Sequence, residues 1–253
     1  MTERLCPSPS GGCEEPVQRA EQPHGLVDAW LKVAGSGGRV VMLAGQGLAD
    51  PKGPSQWLSG PPRGGEEAWS LLEPLQRRAL RLVEKPPPLL AAAVELLRRG
   101  LLSRLIYFGV DGAAARLAPR GSVLEVYGSV LRARCPRCGT RLEIAEPTAP
   151  APRCPRCGAA MEPELVWPHG RPRLRVLGEA VYEATTADLV VACCLGGETL
   201  PTVLALSARR FTRLALLGSD PVLGEAAHLA AGPGALQVLL EATRRGYMSG
   251  QRS

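Results

Sequence analysis

The sequence predicts a doubly wound, Rossmann-like α/β domain with a parallel sheet, interrupted by a small zinc-binding module. Three observations predict it. Short apolar runs recur along the chain: RVVMLA at 39–44, RLIYF at 104–108, SVLEVY at 122–127, ADLVVACCL at 187–195 and RLALL at 213–217. Each is a short apolar run of the kind that forms a strand buried on both faces. Stretches with helical spacing lie between them, and strands that alternate with helices pair in parallel under helices on both faces. Between the third and fourth runs stand two Cys-x-x-Cys pairs, which belong to neither pattern.

The elements follow in order. Residues 1–24 are polar and rich in Pro and Gly and read as a loose tail. GLVDAWLKVA at 25–34 places Leu26, Ala29, Trp30 and Val33 at helical spacing. The first strand runs into Gly45-Gln46-Gly47, and residues 50–65 form a loop dense in Gly, Pro and Ser. A helix is expected over 66–84, ended by Lys85-Pro-Pro-Pro88, and another over 89–99 with Gly100 at its C-terminal cap. Later helices are expected at 178–186, near 201–210 and at 235–245. The expected organisation is a tail at 1–24, a large domain made of 25–130 and 176–247, and a zinc module at 131–175.

Composition narrows the partners. No apolar run reaches the length of a membrane-spanning helix, and MTERLCPSPSGGCEEP lacks the apolar core of a secretory signal, so a cytoplasmic setting is expected. Nine arginines stand against four glutamates in 131–175, which accounts for nearly all of the net charge of +6. Such a surface is either simply solvated or a patch for an acidic protein, peptide or nucleic acid. Few aromatics argue against base stacking. Asn is absent from the whole chain, which excludes any chemistry that needs an Asn side chain.

The sequence Cys135-Pro-Arg-Cys138, 15 residues, then Cys154-Pro-Arg-Cys157 is a metal-ligand pattern. Four thiolates suit tetrahedral zinc at Zn–S distances of about 2.3 Å. Gly139 and Gly158 follow the second cysteine of each pair, where a left-handed residue closes the turn. With all four ligands supplied by protein, the zinc is structural rather than catalytic. Cys193 and Cys194 end an apolar run, as buried thiols or as a redox pair; Cys6 and Cys13 lie in the tail.

The order of elements resembles the sirtuin family of NAD-dependent protein lysine deacylases, over about residues 25–245. The segment PPPLLAAAVELLRRGLLSRLIYFGVDG is similar to the helix and strand that lead into the family's Gln-Asn-Ile-Asp. GSVLEVYGSVLRARCPRC is similar to the stretch from its His-Gly pair to its first cysteine pair, and CPRCGAAMEPELVW and ADLVVACCLGGETLP follow in register.

The resemblance implies roles by position. Gly45 and Gly47 keep the glycines of the family's Gly-Ala-Gly loop, with Gln46 between them, and Ala49 stands at a Ser. Gln56, Trp57 and Leu58 replace Asp-Phe-Arg. Phe108 and Gly109 replace the Gln and Asn of Gln-Asn-Ile-Asp, and Asp111 keeps its Asp, which in the family holds the nicotinamide amide. Tyr127 stands at the general-base His. Cys194, Leu195 and Gly196 align with Gly-Thr-Ser, Gly218 with a late Asn, and Pro168-His169-Gly170 replace Phe-Gly-Glu after Trp167.

A Tyr hydroxyl, with an ordinary pKa near ~10, is a donor at neutral pH and not a base. The expected function is therefore binding or regulation through an NAD or ADP-ribose pocket at Gly45, Gln46, Gly47, Asp111, Gly196 and Gly218, with deacylation weak or lost. The alternatives are an active NAD-dependent deacylase or ADP-ribosyl transferase, and an Arg-rich zinc-ribbon nucleic-acid binder. On residues alone, Gly45-Gln46-Gly47 is either a tight turn or a close approach to a diphosphate, and Asp111 either a turn residue or an amide acceptor. His169 is either a titrating group beside a peptide cleft or a solvated loop residue; Pro168 lacks the N–H that strand-like peptide pairing would use.

Overall fold

The computed structural model describes residues 23–50, 62, 65–168 and 170–250, with side chains from 25 to 244 within them. Cys6, Cys13, Gln56, Trp57, Leu58 and His169, and the side chain of His24, lie outside the described residues.

The chain runs α1 (Pro23–Gly35), β1 (Val40–Ala44), α2 (Gly65–Glu84), α3 (Pro88–Arg98), β2 (Arg104–Tyr107), α4 (Ala113–Leu117) and β3 (Val123–Glu125). A small antiparallel unit follows: β4 (Gly128–Arg134), β5 (Arg141–Glu143) and β6 (Glu162–Leu165). Then come α5 (Leu174–Thr185), β7 (Leu189–Cys193), α6 (Thr199–Ala208), β8 (Arg213–Leu217), α7 (Pro221–Ala226), β9 (Leu229–Ala231) and α8 (Ala235–Gly250).

The large sheet is parallel throughout, in the order β3-β2-β1-β7-β8-β9. This is the doubly wound order, in which the chain starts in the middle and winds outward both ways. Every residue of β1 and β7 is buried, because helices cover both faces. Val40, Met42 and Ala44 point to one face with Leu26, Trp30, Leu96 and Leu239; Val41 and Leu43 point to the other with Ala180, Ala184 and Leu204. The period-2 alternation of a strand thus divides one apolar run between two cores.

The second sheet has the order β5-β4-β6. It is pinned to the large domain by α2, whose buried Trp69 packs on Ala133, Cys135 and Met161 and donates its indole N–H to the Met161 carbonyl at 2.9 Å.

The five expected strands and the helices between them are present, with differences that have physical causes. The third strand stops at Glu125 because Gly128, at φ 77°, turns the chain into the second sheet. A Cβ there would stand 2.2 Å from the Glu164 carbonyl oxygen, so only glycine fits this crossing. The helix expected from Gly178 begins at Leu174, just after Pro172, since a solvent-side glycine lowers helix stability without ending a helix. Strand β9 and helices α4 and α7 are three to six residues long, too short to show a period. Helix α7 still carries a local signal, Asp220 before Pro221: the Asp220 carboxylate accepts from the Val222 and Leu223 N–H groups.

Candidate functional site

Among the described residues, two places gather chemistry. The first is the cysteine cage. The Sγ atoms of Cys135, Cys138, Cys154 and Cys157 all lie within 4.8 Å of one another, with Cys135–Cys157 at 3.4 Å and Cys138–Cys154 at 3.5 Å. These separations are far longer than a disulfide bond at about 2.05 Å and close to the roughly 3.8 Å edge of a zinc tetrathiolate.

The two halves are built alike. Cys135 N–H donates to the Thr140 carbonyl and Gly139 N–H to the Cys135 carbonyl; Cys154 N–H donates to the Ala159 carbonyl and Gly158 N–H to the Cys154 carbonyl. Gly139 at φ 73° and Gly158 at φ 71° close the two turns in the left-handed region. The Thr140 hydroxyl, 3.1 Å from the Cys138 sulfur, pulls that thiol down to about 6, towards the thiolate a metal needs. The donor set, its closure and its spacing fit zinc, with no position left for a substrate.

The second place is the crevice at the carboxyl ends of the central strands. In a doubly wound sheet the reversal of winding, here between β1 and β7, opens such a crevice. The turn after β1 forms one lip. Gly45 N–H donates to the Cys193 carbonyl, and a short 3-10 turn covers Gln46–Leu48. The loop after β7, at 194–197, forms the other lip. A Cβ on Gly45 would stand 2.3 Å from the Cys194 carbonyl oxygen, and one on Gly47 3.0 Å from the Cys194 Cβ. These two glycines therefore answer to the close approach of two loops of the protein itself. Gly196 at φ 65°, Gly197 at φ 73° and Gly218 at φ 105° border open space, and need glycine for conformation alone.

Beneath the first lip lies a buried polar cluster. Asp111 is wholly buried, and its Oδ2 accepts from the Gln46 side-chain amide at 2.8 Å and from the Tyr107 hydroxyl at 2.5 Å. Its Oδ1 accepts from the Ala113 N–H at 2.8 Å. The Gln46 carbonyl end in turn accepts from the Val110 N–H at 3.0 Å. Burial lifts the Asp111 carboxyl above its usual range, against these hydrogen bonds. Burial and then the Asp111 charge drive the Tyr107 hydroxyl well above its ordinary value, so it stays a donor. Glu125, paired with Arg132, is pushed up to about 7, mainly by burial. Gly109 leaves room for Tyr107, since a Cβ at 109 would stand 2.3 Å from the Tyr107 Cζ.

On the opposite face of the sheet, Phe108 and Tyr127 meet edge to face at 5.9 Å between ring centres. Tyr127 is pushed up to about 12 by burial and by the charge of Glu198. Glu198, just before α6, is itself raised by burial to about 6. Cys193 is buried, and Cys194, at φ 52°, is the one non-glycine residue with positive φ among those described; their sulfurs lie 3.6 Å apart.

The structure thus brings Gln46 and Asp111 into contact and sets Gly45, Gly47 and Gly196 on two lips of one crevice, with Gly218 at the end of β8. Tyr107, Glu125 and Glu198 were not singled out in the sequence. Tyr107 had one usable signal: it ends a buried strand, where a phenol needs a partner, and a carboxylate follows four residues later. In the arginine-rich region, Arg141 and Arg173 pair with Glu164, and Arg132 reaches both Glu125 and Glu164. Among the described residues, no helix is long and apolar enough to cross a membrane.

Comparison with known proteins fits this architecture. The Sir2 family model matches residues 75–199. Residues 75–199 belong to the Sir2 family. This sirtuin segment reaches from the middle of α2 through the cysteine cage to the first residue of α6. An NAD-dependent protein deacylase of Aeropyrum pernix is 34% identical over 124 residues, which is 48% of this chain and 50% of that protein. One from Thermus thermophilus is 35% identical over 154 residues, covering 51% of this chain and 58% of that protein. The chain's matches thus span half to three fifths of these relatives.

Solved structures agree on the fold. A Sir2 homolog–NAD complex superposes with a TM-score of 0.66 at 21% identity, covering 91% of this chain and 96% of the other. A complex of Sir2 with a p53 peptide and NAD+ gives 0.61 at 19%, covering 90% and 99%.

Proposed function

We propose that this sirtuin-type chain binds the ADP-ribose part of NAD in the crevice between β1 and β7, and acts by binding rather than by turning over acyl-lysine. Support for the pocket comes from the open glycine loops at the carboxyl ends of β7 and β8, from the doubly wound order, and from relatives named for NAD-dependent deacylation. In this reading Gly45, Gln46 and Gly47 border the ligand on one lip, Gly196 and Gly218 on the other, and Asp111 supports the first lip from below. The zinc cage holds the small sheet on α2 and takes no part in chemistry.

The observation that carries the loss of turnover is Tyr127. With its hydroxyl at about 12, it remains protonated across the physiological range. It can donate to a ribose oxygen but cannot take a proton from one, and general-base help is typically worth about 10²–10⁴ in rate. The positions beside it offer no substitute, since Phe108 is apolar and Gly109 has no side chain.

Calorimetric titration with ADP-ribose, together with a nicotinamide-release assay on an acetyl-lysine peptide, tests both halves. Saturable heat with no NAD-dependent release above background is expected. No heat removes the pocket, and clear release removes the claim of lost turnover.

One observation favours the second reading, an active deacylase or ADP-ribosyl transferase. Glu198, at about 6, sits in the field of Tyr127 and is poised to accept a proton near neutrality. In that case release would follow the ionisation of Glu198 and would fall in Glu198→Gln.

A further inference from the structure

The pairing around Gln46 has the form of a bound ligand. A primary carboxamide has one acceptor and a two-hydrogen donor on the same carbon. Val110 and Asp111, consecutive in the chain, present the complement: a backbone N–H and a carboxylate oxygen. The Gln46 side chain meets both at once, its oxygen taking the Val110 N–H at 3.0 Å and its nitrogen giving to Asp111 Oδ2 at 2.8 Å. Gln46 is 2% exposed and Asp111 is 0% exposed, so neither interaction is shared with bulk water. Asp111 Oδ2 also takes the Tyr107 hydroxyl, which uses its second lone pair, and Oδ1 is turned to the Ala113 N–H. Both carboxylate oxygens of Asp111 thus already have donors within the protein.

Nothing in the backbone forces this arrangement on a glutamine. Residue 46 lies in a three-residue 3-10 turn whose cap makes no side-chain hydrogen bond. The tight packing of that turn against the loop after β7 involves Gly45 and Gly47, on either side of residue 46. The chain has spent a buried amide on a pair of groups suited to an amide arriving from outside.

We propose that Gln46, by taking the Val110 N–H and giving to the Asp111 carboxylate, is a self-supplied occupant of the position where the sirtuin resemblance places a nicotinamide amide, and that it bars an external carboxamide until it swings away. This rests on the proposed reading of the crevice as a nucleotide site, which also sets the probe: NAD carries a primary carboxamide on its nicotinamide ring, and ADP-ribose does not. The chain would then take ADP-ribose freely and exclude the nicotinamide end of NAD.

The test compares the unaltered chain with Gln46→Ala, each titrated separately with nicotinamide, nicotinic acid and ADP-ribose. Displacing a buried amide from a charged acceptor corresponds to a change of about tenfold or more in affinity. Nicotinamide is therefore expected to bind the variant at least about tenfold more tightly than the unaltered chain. Nicotinic acid should gain nothing, because its carboxylate would face Asp111. ADP-ribose, which carries no carboxamide, should likewise gain nothing. Equal nicotinamide affinity in the two proteins, or no gain in a folded variant, overturns the proposal. Loss of ADP-ribose binding alone overturns only the nucleotide reading. A measurement on the unaltered chain stands independently of the variant's folding: the Gln46 side-chain amide protons should exchange with solvent at least about a hundredfold more slowly than those of an exposed glutamine. Exchange at the exposed rate overturns the proposal.

Discussion

The cysteine cage and the crevice are built from opposite kinds of sequence information. Each half of the cage is a stretch of six residues, Cys-Pro-Arg-Cys-Gly and the residue after it, that closes on itself through the same backbone bonds. Only one long-range step, the meeting of the two halves, remains for the fold to make. The crevice draws Gln46, Tyr107, Glu125 and Glu198 from four separate segments, and their roles depend on burial and on one another. A local motif can be read residue by residue, whereas a dispersed cluster changes meaning when one member changes. Gln46 illustrates this, since its amide alters what Asp111 can accept.

The largest effect expected is on the cage. Cys135→Ser, or removal of the metal by a chelator, should release one zinc per chain and unfold the small sheet. Structural zinc contributes on the order of 10 kcal/mol in small domains, far more than β4, β5 and β6 can supply alone. Elemental analysis and near-ultraviolet circular dichroism check this; a cage that keeps its fold without metal would erase the contrast between the two regions.

In the crevice, Gly45→Ala sets a methyl 2.3 Å from the Cys194 carbonyl oxygen, and should cost about 2–4 kcal/mol in chemical denaturation. Gly109→Asn meets the Tyr107 ring in the same way. Its cost should shrink by about 1 kcal/mol or more when Tyr107 is also replaced by Leu, which a double-mutant cycle would read as coupling. Additive costs would mean that the cluster is not one unit.

A smaller effect follows from Glu125. Its carboxyl is raised from 4.5 to about 7, so between these values the folded chain keeps a proton that the unfolded chain has shed. This contribution is full below about 4.5 and is lost as pH rises through about 7. Glu125→Gln should remove that slope, so that the stability difference between variant and unaltered chain shifts in the variant's favour by roughly 3 kcal/mol from pH 4.5 to 7.5. A pH-independent difference would place Glu125 in ordinary solvent contact. The smallest effect is expected at Tyr127→Phe, a half-buried ring whose packing on Phe108 is retained, with stability changed by less than about 1 kcal/mol.

The sequence by itself determined the strand runs, the helices between them and the four zinc-type ligands with their two turn glycines. These follow from periodicity and spacing within a few residues, which local physics sets. Only the tertiary structure decided that Gly45 and Gly47 answer to the protein's own loop, that Gly109 makes room for Tyr107, and that the Asp111 carboxylate is already satisfied by Gln46. Those facts depend on atoms brought within hydrogen-bond or van der Waals range by the fold, for Gln46 and Asp111 across 65 residues of chain, and no local pattern in the sequence carries such distances.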